Sequence, residues 1–130
     1  MNAPLSTTTA PSRPLTATQV SGLRRTLERE LDEAHTLEAR LRGDVASSLE
    51  SRRSTTNDET DDPEGSNLAF EGAQTSAMLA QTTRHAAEIA AALERMDAGS
   101  YGDCTTCGTR IATGRLEARP ASALCISCAS

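Results

Sequence analysis

Along the first half of the chain the apolar positions run Val20, Leu23, Leu27, Leu31, Ala34, Leu37, Leu41, Val45 and Leu49, at spacings of three and four throughout. That is one stripe of a long amphipathic helix, with Arg and Glu filling much of its other faces. The stretch "TATQ", Thr16 to Gln19, fits a capping box in which Thr16 is the N-cap and Gln19 reaches back from the third helical position. A helix is therefore predicted to start there and to fade near Arg53, where "STTNDET" brings turn-forming residues. Gly22 and Gly43 each weaken it by about 1 kcal/mol relative to alanine.

A second stripe follows "DDPEGSN". Asp62 reads as an N-cap with Pro63 at the first helical position, where the missing N–H costs nothing. Thr75, Met78, Thr82, His85, Ile89, Ala92 and Met96 then recur at alternating intervals of three and four, flanked by Leu79, Ala86 and Leu93. The pattern predicts a second long helix ending near Gly99, least secure in its first turns because of Gly65 and Gly72. At about 35 residues each, the helices span about 50 Å and bury each other most simply as an antiparallel hairpin. The periodicity alone fits a piece of a helical bundle equally well. The hairpin reading puts residues 54–64 at one tip and the C-terminal segment at the other end.

Composition changes this picture little. Of 130 residues, 37% are hydrophobic but only 2% aromatic, too few bulky side chains for a thick globular core, which favours an elongated helical architecture. The net charge of −5 counts against affinity built on neutralising phosphates and makes a protein the better default partner. No run approaches the roughly 20 apolar residues of a membrane span. The N-terminus lacks the basic and apolar regions of a secretory signal. A cytoplasmic location is expected, without membrane association. Residues 1–15, with Pro4, Pro11 and Pro14 among Ser, Thr and Ala, read as a disordered tail.

The chemistry lies at the end. Cys104, Cys107, Cys125 and Cys128 form two CxxC knuckles separated by a stretch long enough to bring the pairs together, a pattern suited to one tetrahedral structural zinc. Gly102 and Gly108 flank the first knuckle where turns need glycine's backbone freedom, and Gly114 is read as letting the chain reverse before the second. A metal would supply the cohesion that so short a segment cannot draw from a core. Disulfides fit a reducing cytosol poorly, a redox CxxC lacks its βαβ setting, and four thiolates leave no open position for catalytic water. Iron in place of zinc stays open from sequence. His85 lies in the second stripe without metal-binding neighbours and reads as an interface histidine; His35 reads as a helix-surface residue.

The run "MDAGSYGDCTTCGTRIATGRLEARPASALCISC", Met96 to Cys128, resembles the signature of the DksA/TraR family of zinc-finger proteins: a "YGxCxxCG" knuckle, "RLEA" followed by proline, and a closing "CxxC". The upstream helices agree with that family in layout rather than in letters. The resemblance implies a mainly α protein, a long antiparallel coiled-coil hairpin (residues 16–98, tip at 54–64) carrying a small C-terminal four-cysteine zinc finger (99–130). It also implies a non-enzymatic regulator of transcription, whose hairpin enters the secondary channel of bacterial RNA polymerase without reading promoter sequence itself. Asp58, Glu59, Asp61, Asp62 and Glu64 crowd the turn between the helices. In the family, acidic tip residues, often Asp-x-x-Asp-x-Ala, approach the polymerase active site. Here Asp58 and Asp61 keep the first spacing while Asp62 and Pro63 follow, so the terminal alanine is missing and Asp62 competes for one role. Read without the resemblance, the same acids are a solvated, helix-capping loop.

Basic side chains around the finger serve those members that respond to ppGpp. This chain has Arg110, Arg115 and Arg119 but ends with Ala129 and Ser130 two residues after Cys128, where longer members continue into a further helix. That departure counts against alarmone dependence. Arg115 and Arg119 are candidate polymerase contacts. Two other functions compete: a DNA-binding zinc finger, opposed by the acidic total and the lack of an Arg-rich recognition helix, and a zinc-stabilised helical adaptor.

Overall fold

The computed structural model describes residues 13–58 and 63–129. Its elements are α1 (Ala17–Asp58), α2 (Pro63–Ala98), and two short helices in the finger, α3 (Thr113–Ala118) and α4 (Ile126–Ala129). Strands are lacking among the described residues; a single β-bridge joins Asp103 and Arg110. No described helix is long and apolar enough to cross a membrane.

The ends of the long helices follow local chemistry. The Thr16 amide donates to Gln19 Oε1 at 2.8 Å, and the Gln19 amide donates to Thr16 Oγ1 at 3.1 Å, the reciprocal bonds of a capping box. α2 starts at Pro63, as expected of a proline that gives up no helical hydrogen bond there. It stops where Gly99 takes φ 82°, with the Ser100 amide reaching Arg95 O at 2.9 Å and the Gly99 amide reaching Met96 O at 3.2 Å. This is a Schellman motif, and glycine is needed because other residues are strained at that angle. α1 does not fade at Arg53 but continues to Asp58, because the Ser, Thr and Asn after it weaken a helix without breaking it.

The described residues pack as two units, the first made of those up to Glu30 together with those from Glu88 onward, the second of those within Leu31–Ala87. In the first, α1 and α2 run antiparallel and are tied by Arg24 Nη2 and Asp97 Oδ1 at 2.9 Å. Leu23, Leu27, Ile89 and Ala92 are buried there, and so are Tyr101, Cys104, Ile111 and Leu116 of the finger. Leu15, assigned from sequence to the tail, is half-buried; a Cβ on Gly102 would stand 3.5 Å from its Cδ1.

In the second unit Ala34, Glu38 and Leu41 of α1 are buried, as are Gly72, Thr82 and Ala86 of α2. Gly72 lies so close to α1 that a Cβ would come 2.6 Å from Ser48 Oγ. Two sequence expectations need correction. Met78 is 53% exposed and His85 is exposed; the covered positions are their neighbours Leu79 and Ala86. Within this unit the seam of α2 thus follows Gly72, Thr75, Leu79, Thr82 and Ala86, an alternation of threes and fours. Glu38 was not anticipated in the core. It occupies the seam between Ala34 and Leu41 at 7% exposure, with Arg42 Nη2 at 3.6 Å from its Oε2. The exposed end of the stripe, Leu49, is 49% accessible.

Candidate metal centre

The C-terminal segment turns twice to present its thiols. Gly102 at φ 97° and Gly108 at φ 78° bracket the first knuckle. Backbone bonds from Cys104 N to Thr109 O (2.8 Å), Gly108 N to Cys104 O (2.9 Å) and Ile111 N to Gly102 O (2.7 Å) close it. Gly114 plays no such part: it lies within α3 without a positive φ, so the reversal assigned to it from sequence is not made there. The second knuckle begins α4, where the amides of Cys128 and Ala129 donate to Cys125 O at 3.1 and 2.9 Å.

These folds bring the sulfurs of Cys104, Cys107, Cys125 and Cys128 all within 4.8 Å of one another. Cys107 Sγ and Cys125 Sγ are 3.7 Å apart, far beyond a disulfide bond length of about 2.05 Å. Sulfurs placed tetrahedrally at about 2.3 Å from zinc stand about 3.8 Å from each other, so the donor set fits that ion. Four thiols this close cannot all ionise unaided. Amide donors, first that of Cys107 and then that of Cys125, lower the Cys104 thiol to about 6. Thr109 lowers Cys107. Cys128 is pushed up to about 12 by the neighbouring sulfurs, Cys104 foremost. A divalent cation relieves that mutual repulsion and lets each sulfur bind as thiolate.

The chain leading into Cys125 is held by groups that sequence reading did not single out for this purpose. The hydroxyl of Tyr101 donates to Pro120 O at 2.7 Å, Arg95 Nη2 to Ser122 O at 3.4 Å, the Thr105 amide to Ala123 O at 2.9 Å, and Arg115 Nε to Leu124 O at 3.0 Å. Of the basic residues proposed for partner contact, Arg115 is half-buried and committed in part to this bond, while Arg119 is exposed. Arg110 lies 3.8 Å from Asp103. Of the acidic tip, Asp58 closes α1 and Glu64 follows Pro63 in α2. Asp61 and Asp62 lie outside the described residues.

Residues 99–130 match the prokaryotic dksA/traR C4-type zinc finger family. The four clustered cysteines are accordingly the site of one structural zinc. Among curated proteins the chain is similar to an RNA polymerase-binding transcription factor DksA of Haemophilus influenzae, 46% identical over 41 residues. That alignment covers 32% of this chain and 28% of the relative. Among solved structures it is similar to the transcription factor DksA2 of Pseudomonas aeruginosa, with a TM-score of 0.61 at 26% identity over 87% of this chain and 81% of the other.

Proposed function

We propose that the chain is a member of the DksA/TraR family of zinc-finger proteins and, from that premise, a transcription factor that binds RNA polymerase and acts by contact, not by catalysis. The observation that carries this reading is the pairing of a four-thiol finger with two long antiparallel helices, an architecture similar throughout most of its length to a transcription factor. In this reading the finger and the helix ends beside it dock on the enzyme. The hairpin (residues 16–98) enters the secondary channel, and its tip (54–64) carries Asp58, Asp61, Asp62 and Glu64 toward the catalytic magnesium. Their charge then alters the stability of promoter complexes. Cys104, Cys107, Cys125 and Cys128 ligate the zinc, Arg119 is the freer candidate for a polymerase contact and Arg115 the more constrained. The protein works in the cytoplasm, where polymerase is.

The DNA-binding alternative is weakened by the finger's own contacts. Arg110 lies beside Asp103 and Arg115 donates to Leu124 O, so two of its three arginines are partly engaged within the protein. The test is retention of bacterial core polymerase by the immobilised full chain, with a photocrosslinker in place of Thr60. Polymerase retained and crosslinked through its active-site region supports the proposal. Failure to retain polymerase overturns it, and retention with crosslinks only on the outer surface removes the channel-insertion step.

A further inference from the structure

The segment from Pro120 to Leu124 has an unusual means of support. Among the described residues, bridging in the finger is limited to the Asp103–Arg110 pair, so this segment has no strand beside it. Its carbonyls are instead taken by donors from four separate places: Tyr101 just after α2, Arg95 within α2, Thr105 in the first knuckle and Arg115 in α3. The side chains of Tyr101, Arg95 and Arg115 reach alternate carbonyls, those of Pro120, Ser122 and Leu124, while Thr105 bonds Ala123 O between them with its amide and, at 3.3 Å, its hydroxyl. Leu124 is bonded directly to Cys125, the first thiol of the second knuckle.

We propose that Arg115 and Tyr101, with Arg95 in a lesser part, are positioning residues for the metal, which strap the 120–124 segment so that the second CxxC knuckle is held ready against the first. A tetrathiolate site assembled from two knuckles must bring them together, and any ordering left undone before the metal arrives is subtracted from its binding. Arg115 is best placed, because its bond ends one residue from a ligand. Tyr101 fixes the other end of the strap, and its ring is buried in the finger's core. The Arg95 contact is the longest, outside the usual 2.7–3.2 Å range for such bonds, and its Nε is buried without a hydrogen-bond partner, so it contributes least. This gives Arg115 a task inside the finger rather than at a partner's surface. The inference rests on the zinc reading of the finger and is independent of polymerase binding.

The experiment uses the full chain purified with zinc, its metal content measured first, then the rate at which an excess of a coloured chelator strips the metal. Arg115→Ala releases zinc at least about tenfold faster than the parent, in line with the usual cost of losing a group that orients a ligand. Tyr101→Phe, which keeps the ring and changes no charge, also releases it faster, by a smaller factor. Arg119→Ala, an exposed change in the same stretch, releases it at the parental rate. Cobalt-substituted samples show four-thiolate absorption in each, so the ligand set is the same and only its support differs. If Arg115→Ala retains no metal at all, Tyr101→Phe decides. Parental release rates in both Arg115→Ala and Tyr101→Phe overturn the proposal, and so does an Arg119→Ala acceleration equal to that of Arg115→Ala, which would assign the effect to lost positive charge. Absence of zinc from the parent protein instead overturns the metal reading itself.

Discussion

Tyr101 is the chain's single tyrosine, and its setting makes a clean titration. Burial raises its phenol to about 12, partly offset by the positive charge of Arg95. The folded state therefore holds the phenolic proton at pH values where an unfolded chain, titrating near 10, has released it. A folded pKa above the unfolded one means that this group's support is complete below about pH 10 and is lost as pH rises toward 12. Tyrosinate absorbance in the folded protein is expected to emerge well above pH 10, with the finger loosening over the same interval as the bond to Pro120 O fails. A normal tyrosine titration in a protein that remains folded would contradict the burial argument. The metal ligands, by contrast, are plain in the sequence. Thiols announce themselves by type and spacing, whereas the value of a tyrosine or arginine donor depends on which carbonyl the fold carries to it.

At the scale of the helices, glycines and one buried acid give the most direct tests. Nothing lies within 4 Å of a Cβ built on Gly43, so Gly43→Ala gains the difference in helix propensity and stabilises the protein by about 1 kcal/mol. Gly72→Ala earns less, because the new methyl meets Ser48 Oγ at 2.6 Å and that hydroxyl must rotate away. Adding Ser48→Ala should restore the gain, and a double-mutant cycle from thermal unfolding measures the coupling directly. Glu38 is the other case. With its carboxylate in the seam and its nearest cation on the exposed Arg42, Glu38→Leu is expected to raise stability by about 1 kcal/mol, read as a higher midpoint of thermal unfolding. A fall in stability would mean that this acid is satisfied better than a 3.6 Å ion pair suggests. The helices were legible from their stripes, and their ends from a capping box, a proline and a glycine. The one-position shifts in α2 from Met78 to Leu79 and from His85 to Ala86 were not. In a helix so rich in alanine, Met78 looks as apolar as Leu79 and His85 stands beside Ala86, so side-chain type does not choose between adjacent lines on the surface. The intervals 34, 38, 41, 45 could have pointed to Glu38, but a charged residue is discounted when stripes are drawn.

For the whole molecule the deciding question is whether docking and action are separate. The finger and helices offer extended surface, whereas the acids of the turn add charge in a small place, so removing charge there tests action with little effect on attachment. Asp61→Asn with Asp62→Asn keeps side-chain size and most capping ability while removing two charges. If the proposed function holds, polymerase retention by this double variant equals that of the parent. Its effect on promoter-complex lifetime falls sharply, because the altered charge is the part presented to the magnesium and its ligands. A solvated loop makes the opposite forecast: neither binding nor transcription changes, and stability moves by about 0.5 kcal/mol or less, as for other exposed substitutions. Transcription in vitro beside a polymerase-binding assay separates the two. Unchanged regulation with intact binding would move the active contact away from the turn, and loss of both together would make the acids part of the docking surface.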